Sequence, residues 1–443
     1  MSPFVFAYSV LLAIAFFKGI DSFLLKNHFT HLLFNRVNEQ SKVLIQEKWI
    51  LIPIALLAFV IPYFRVSTSI PSVLLVLSLL IYLWYAGNWK RVKAFIQVDS
   101  SIYFKIISIY LVFIVLHSLL FQGDFIKVQL NFLLLIYFFA LIVAKELNKE
   151  NLIHIAYFYL LGALLFIPLI LILAAVNAVD LSWNSFYYTQ LLGHVKGNPI
   201  THSLYYNIAI ILCAKFLSIC KNKKEGSIYI LMMISFFGMI FLFGSKTGYI
   251  TAFFSMIFIG FSLITSKALK AVFILGVPFL FYTFYLNVPY IHKKIEGFKW
   301  QISRHEKITL ENRLPRTVIW SEAVQLIKEE PLRGYGFGKS FEVLKQRYTA
   351  INFTKGIRNK FNAHNQFIES SLQLGITGFL WWICLIGYCI YISMMNRDRW
   401  LGNFLFVLIA YLLVESLLES QMGIVAIGFF LSYFILSSKK API

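Results

Sequence analysis

The sequence predicts an all-α polytopic membrane protein: a bundle of about 12 transmembrane helices with one large structured loop. Three observations predict it. Hydrophobic residues make up 59% of the 443 residues and charged residues 14%, whereas a soluble domain needs about 25% charged residues to cover its surface. The apolar residues fall in runs near the roughly 20 residues that cross a bilayer. Much of the basic excess (formal net charge +20) sits in short loops between those runs, where positive charge fixes membrane orientation and is no sign of a nucleic-acid partner.

The candidate spans are Phe4–Phe17, Trp49–Phe64, Ile70–Trp89, Ile106–Phe121, Val128–Ala144, Leu152–Val179, Ser203–Ile219, Ile228–Gly244, Gly248–Thr265, Ala271–Tyr290, Ser370–Met395, Gly402–Leu418 and Gly423–Ser437. The first is short and leads into an ambiguous stretch, so thirteen and twelve spans are both compatible with the pattern. Its lack of a basic n-region and of a small-residue cleavage site reads as a retained membrane segment, not a signal peptide. The four cysteines all lie in or beside apolar runs, with no CxxC pair, so no disulfide framework or zinc site is expected.

Basic clusters at Lys90/Arg91/Lys93, Lys145/Lys149, Lys221/Lys223/Lys224, Lys267/Lys270, Arg397/Arg399 and Lys439/Lys440 fall on one side when the spans between them are counted. That side is expected to be cytoplasmic. The other side receives the Gly244–Gly248 turn and one long hydrophilic segment, from Ile291 to about Gln366. Three divisions follow: residues 1–290 as N-terminal transmembrane helices, 291–366 as the large loop, and 367–443 as C-terminal transmembrane helices.

The loop holds fifteen Lys/Arg against seven Glu and no Asp. Long loops translocate largely regardless of charge, so a basic outer loop is allowed. Trp320, Ala323, Val324 and Ile327 follow helical spacing, and Pro331 ends that helix. Gly334, Gly336 and Gly338 predict a flexible turn. The loop is expected to be a structured cap over the mouth of the bundle.

Four groups of residues carry the candidate chemistry. Arg316 opens the amphipathic helix, with Arg313 close by and Arg333 beyond Pro331. A guanidinium pairs bidentately with a diphosphate, or simply solvates a helix lying on the membrane surface. His364, in Asn362-Ala-His364-Asn365, precedes the next span, where the positive helix end favours a neutral imidazole. Such an imidazole can take a proton from a hydroxyl, and open helix amides can bind an anion; capping by Asn365 beside a passive histidine is the plainer alternative. Lys246, in Gly244-Ser-Lys-Thr-Gly248, is either a point charge for phosphate or a snorkelling lysine. Glu415 and Glu419 lie four apart near an outer span end, and intramembrane carboxylates usually face a bundle interior or wet cavity, here as possible partners of Arg316 or Lys246. His202, after Asn198-Pro-Ile-Thr, is a further outer-face candidate. No HExxH, GxSxG or P-loop occurs, which argues against metalloprotease, esterase and NTPase chemistry.

The order of these elements, Ser-Lys-Thr between spans, then Arg316-x-x-x-Trp320 with Pro331-Leu-x-Gly-x-Gly336, then His364-Asn365 before a span, resembles the O-antigen ligase and polymerase superfamily of bacterial envelope polysaccharide glycosyltransferases. The likeness covers roughly Phe241–Phe379 in detail. It implies a multi-pass inner-membrane enzyme of twelve spans whose large structured periplasmic loop carries the site. Its donor would be an undecaprenyl-diphosphate-linked glycan. Its acceptor would be a lipid A-core sugar for a ligase, or a second lipid-linked glycan for a polymerase. The resemblance places the family's essential histidine on His364 and its loop arginine on Arg316, with Arg313 the near alternative; Arg333, Asn365, Glu415 and His202 are further substrate-binding candidates. A second family arginine falls on Lys246, which keeps the charge and loses the fork. No metal or cofactor is expected, and beyond the two lipid-linked substrates the expected partner is membrane lipid, not nucleic acid. Outside this class, a lipid-linked glycan flippase would need charges through the membrane instead of at one face, and a non-enzymatic assembly subunit would survive loss of His364.

Overall fold

The computed structural model describes residues 51–63, 69–84, 101–148, 150–177, 183–193, 195, 197–287 and 315–438. Among the described residues every regular element is helical and none is a strand. This is the expected solution for a chain whose backbone polar groups must be satisfied within each segment in lipid. Seven stretches are long and apolar enough to span a bilayer: Ile102–Phe121, Phe125–Glu146, Asn151–Asn177, Pro199–Ile219, Lys223–Phe243, Lys246–Leu263 and Ile376–Met395. Shorter apolar helices lie at Leu51–Val60, Ser72–Tyr82, Arg399–Leu412 and Gln421–Ser437. The chain is thus a polytopic α-helical membrane protein. The Phe4–Phe17 candidate and the Lys90 and Lys439 clusters lie outside the described residues.

The helices that position the site are α1 (Pro199–Ile219), α2 (Lys223–Phe243), α3 (Lys246–Leu263), α4 (Pro315–Glu329), α5 (Ser340–Ala350), α6 (Gln366–Leu374), α7 (Ile376–Met395) and α8 (Arg399–Leu412). Their ends are written in the sequence. Asn198 caps α1 by accepting from the Ile200 N–H at 2.9 Å, with Pro199 in the first turn, where a missing N–H costs nothing. Gly244, in the left-handed region, closes α2, and Ser245 then caps α3 through the Gly248 N–H at 3.2 Å. A stop signal and a start signal stand side by side, so the expected break is a tight hairpin that sets Lys246 in the first turn of α3.

Two of the expected spans are interrupted. Ser370–Met395 is two helices, α6 and α7, parted at Gly375 (φ +63°), where a Cβ would lie 2.3 Å from the Leu332 carbonyl oxygen. Gly402–Leu418 ends as an α-helix at Leu412; a short 3-10 turn follows at Leu417–Glu419. The hydrophobic run reads continuously through both points because hydropathy does not register a change of backbone direction.

The two ends of the bundle differ. Arg399 donates to the Ser262 carbonyl at 2.7 Å, Lys145 to the Leu436 carbonyl at 2.7 Å and Lys215 to the Ser437 hydroxyl at 2.8 Å. These contacts draw basic helix ends together at one end. The α2–α3 hairpin, the end of α8 and the loop meet at the other.

The loop has a core of its own: Val318, Ile319, Ala323, Leu326, Leu344, Tyr348, Phe353, Ala363 and Leu372 are buried together. Leu372 belongs to α6, so this core draws on residues on both sides of position 366. In water each such burial contributes about 1.5–3 kcal/mol, a driving force absent between lipid-bathed helices, which rely on close packing. The buried stripe of α4 follows Ile319, Ala323 and Leu326; Val324, expected on it, is exposed. The glycine turn, expected to be flexible, is tied to the bundle. Gly334 sits at φ +65°, where a Cβ would collide with Gln373 and Gly375 backbone, the Tyr335 and Gly336 N–H groups donate to the Leu372 and Gln373 carbonyls at 2.8 and 3.1 Å, and the Phe337 carbonyl accepts from the Asp124 N–H at 2.8 Å. It is a clasp between loop and bundle.

Candidate active site

Two separate stretches converge on the turn that follows α8, and a third lies beside Arg316. Arg316, in the first turn of α4, donates from Nη2 to the Val414 carbonyl at 3.0 Å. Asn365 donates from Nδ2 to the Leu413 carbonyl at 3.0 Å. The Nδ1 of His364 lies 3.7 Å from the Oε1 of Glu415. Arg316 lies close enough to Lys246 for its charge to act on the ammonium. A guanidinium, an ammonium, an imidazole and a carboxylate therefore share one small region, although 169 positions separate the outermost two (415 − 246).

Local structure explains how His364 is presented. Its φ is +45°, a left-handed backbone that a non-glycine residue holds only when its neighbours fix it. They do. The Asn362 side chain accepts the His364 N–H at 3.1 Å, the Ala363 N–H donates to Glu369 at 2.9 Å, and the Ala363 carbonyl accepts from the Trp320 indole at 2.9 Å. Phe361 meets the imidazole edge-on at 5.5 Å between ring centres. The side chain keeps 27% exposure, against 13% for Glu415, so one flank of the ring is open while the other faces the carboxylate. Nδ1 has no hydrogen bond at this separation.

Asn365 takes the capping role. Its Oδ1 accepts from the Phe367 and Ile368 N–H groups at 3.0 and 3.2 Å. The amides that the sequence offered to an anion are thereby occupied, which leaves anion binding to side chains. The paired reading of Glu415 and Glu419 also changes, because the helix stops before them. Glu415 faces His364, while Glu419 turns to Lys127 and Gln373.

Other candidates sit elsewhere. His202 is fully buried; its ring nitrogens lie 3.0 Å from the Asn198 carbonyl and 3.4 Å from the Tyr63 carbonyl, among the rings of Phe166, Tyr205 and Phe243. Arg333 bonds Glu330 through Nε and Nη2 at 2.8 and 2.7 Å and lies over Phe121. Its carbonyl accepts from His117 at 2.7 Å. Neither residue joins the Arg316–His364 cluster through these contacts. Arg313 lies outside the described residues.

One polar group that the sequence reading passed over is Glu369, 0% exposed in α6. Burial, with the Glu419 carboxylate beside it, pushes its carboxyl above the usual range. No capping box marks it: that pattern places its carboxylate three residues after the cap, whereas Glu369 stands four after Asn365 and bonds the Ala363 N–H instead.

Residues 230–383 match the sequence model of a family described as O-antigen ligase. Over 136 residues the chain is 28% identical to a protein of Rickettsia felis named "Putative polysaccharide ligase"; the match takes in 29% of this chain, and the chain spans about a third of that relative's length (33%). Lys246, Arg316, His364 and Glu369 fall inside the segment matched by the family model, whereas Glu415 and His202 fall outside it. The family match and the ligase-named relative support an O-antigen ligase family for this chain.

Proposed function

We propose that the protein is an O-antigen ligase. It would transfer a glycan from undecaprenyl diphosphate to a lipid A-core sugar at the periplasmic face of the inner membrane, within a bundle of about twelve spans. The carrying observation is the meeting of Arg316, His364 and Glu415 around the turn after α8, with Lys246 near Arg316. Two cations held near one another repel; a diphosphate between them turns that repulsion into attraction and stabilises the charge that develops on the leaving group.

In this reading the acceptor hydroxyl oxygen attacks the anomeric carbon, the bond from that carbon to the diphosphate oxygen breaks, and the electron pair leaves with undecaprenyl diphosphate. The open flank of His364 takes the hydroxyl proton. Glu415, on the Nδ1 side, orients the ring and offsets its positive charge after transfer. A single displacement inverts the anomeric configuration. The apolar bundle suits the polyprenyl chain, and the basic loop attracts the anionic headgroup.

The same residues would serve a polymerase, whose acceptor is a second lipid-linked repeat. Family and chemistry are common to both, so the acceptor is read from the product. In the native host, His364→Ala and Arg316→Ala are made separately, and lipopolysaccharide and lipid-linked glycan are analysed apart. A ligase defect leaves long chains on the lipid carrier and bare core. A polymerase defect leaves single repeats on core. Normal laddering in both variants rejects the transferase reading and returns the flippase or assembly role.

A further inference from the structure

The site around His364 is tied into a second polar network, buried at its centre, that the chemistry above does not use. Its centre is Glu369. One carboxylate oxygen accepts from the Ala363 N–H at 2.9 Å, immediately before His364, and lies 3.4 Å from the Ser416 hydroxyl, immediately after Glu415. The other accepts from Gln373 Nε2 at 3.0 Å and bonds the Ser340 hydroxyl at the start of α5. Gln373 also donates to Glu419, which pairs with Lys127; the Lys127 ammonium donates to the Gly338 carbonyl at 3.2 Å. The His364 segment, the Glu415 turn, the loop helix α5 and the bundle therefore hang on one side chain.

We infer that Glu369 is a positioning residue that fixes the spacing and orientation of His364 relative to Glu415; the inference rests on the transferase reading given above. The geometry explains why a carboxylate stands there. Both oxygens must accept, one from a backbone N–H that cannot reverse, the other from an amide whose nitrogen is already committed to Glu419. An isosteric amide supplies only one acceptor. Its NH2 group then faces either the Ala363 N–H or the Gln373 NH2, leaving a buried donor unpaired. The left-handed His364 backbone relaxes once the Ala363 tether is lost.

The test uses full-length Glu369→Gln in lipid nanodiscs, with two readouts. The first is transfer from a polyprenyl-diphosphate-linked glycan. The second is the rate at which diethyl pyrocarbonate modifies His364, followed by mass spectrometry of its peptide. The expected result is a kcat lower by about 10- to 100-fold, the consequence of misplacing a base by about 1 Å. KM for the donor should stay within about twofold, since Arg316 and Lys246 are not bonded to Glu369, and His364 should be modified several times faster. An unchanged kcat with an unchanged modification rate overturns the inference, as does a raised KM with kcat intact. Where Glu369→Gln does not fold, Ser416→Ala, which cuts only the branch beside Glu415, is expected to lower kcat by a smaller factor, and wild-type kcat overturns the inference. Wild-type turnover by His364→Ala would sink the general-base assignment of His364 alone. The modification rate then decides the positioning role by itself: accelerated supports it, unchanged rejects it.

Discussion

His202 and His364 both lie near a helix start capped by asparagine, His202 in the first turn after Asn198 and His364 just before Asn365, at the end of the molecule away from the basic clusters. The tertiary structure gives them opposite natures. His202 is sealed among aromatic rings with both ring nitrogens against backbone carbonyls. His364 keeps an open flank and faces a carboxylate. A proton acceptor must be reachable, and its charged form must be tolerated; only the second histidine meets both conditions. A cap-and-histidine pattern therefore marks a position in the chain, and its neighbours decide whether that position does chemistry.

The largest expected effect comes from breaking the open histidine. His364→Ala should lower transfer by about 10²- to 10⁴-fold, the span of general-base contributions, with an unfolding midpoint close to wild type in a thermal melt of the nanodisc-embedded protein. The sealed histidine should behave in reverse. His202→Ala leaves a cavity and removes the ring's contacts with the Asn198 and Tyr63 carbonyls, and should cost about 2–4 kcal/mol of stability, while activity per folded molecule changes less than about threefold. Equal loss of activity in the two variants would erase the contrast.

Replacing the fork at Arg316 sharpens the chemistry further. Arg316→Lys keeps the charge and gives up the planar geometry that meets a diphosphate and the Val414 carbonyl together, so transfer should fall by about tenfold. Lys246→Arg should keep activity within a few-fold, where Lys246→Ala loses it by about tenfold; matching losses would remove Lys246 from diphosphate binding.

The smallest effect is a slope. Burial, then Glu419, raise the Glu369 carboxyl, so the folded protein binds a proton there more tightly than the unfolded chain. The stability associated with that proton is fully present below the ordinary carboxylate pKa and is lost as pH rises toward the raised folded value, because the native state holds the extra proton in that window. Ser340, the Ala363 N–H and Lys127 act in the opposite direction and limit the loss. Melting midpoints followed through the window should decline with pH in the wild type and less steeply in Glu369→Gln. Parallel curves would mean that Glu369 does not carry the dependence.

Much of the architecture was legible because its causes are local. Apolar length, helix caps at Asn198 and Ser245, the glycine stop at Gly244 and Pro331 after α4 all act within a few residues, and the described helices begin and end accordingly. The candidate site was legible in part: His364, Arg316 and Lys246 stood out as polar residues at helix starts. Two kinds of feature escaped. The breaks at Gly375 and after Leu412 interrupt apolar runs that hydropathy reads as continuous. Glu369 gave no local signal, since its partners at 340, 363, 373, 416 and 419 are mostly distant in sequence.

Composition and short-range pattern suffice to make this chain helical and membrane-embedded and to set which residue types stand at one end of the bundle, because solvation and backbone hydrogen bonding act on short segments. Only the tertiary structure decided which histidine is buried and which is open, and that Glu415 parts from Glu419. It also decided that the glycine turn is a clasp. Each of these depends on contacts between stretches far apart in the chain, whose distances no local pattern encodes.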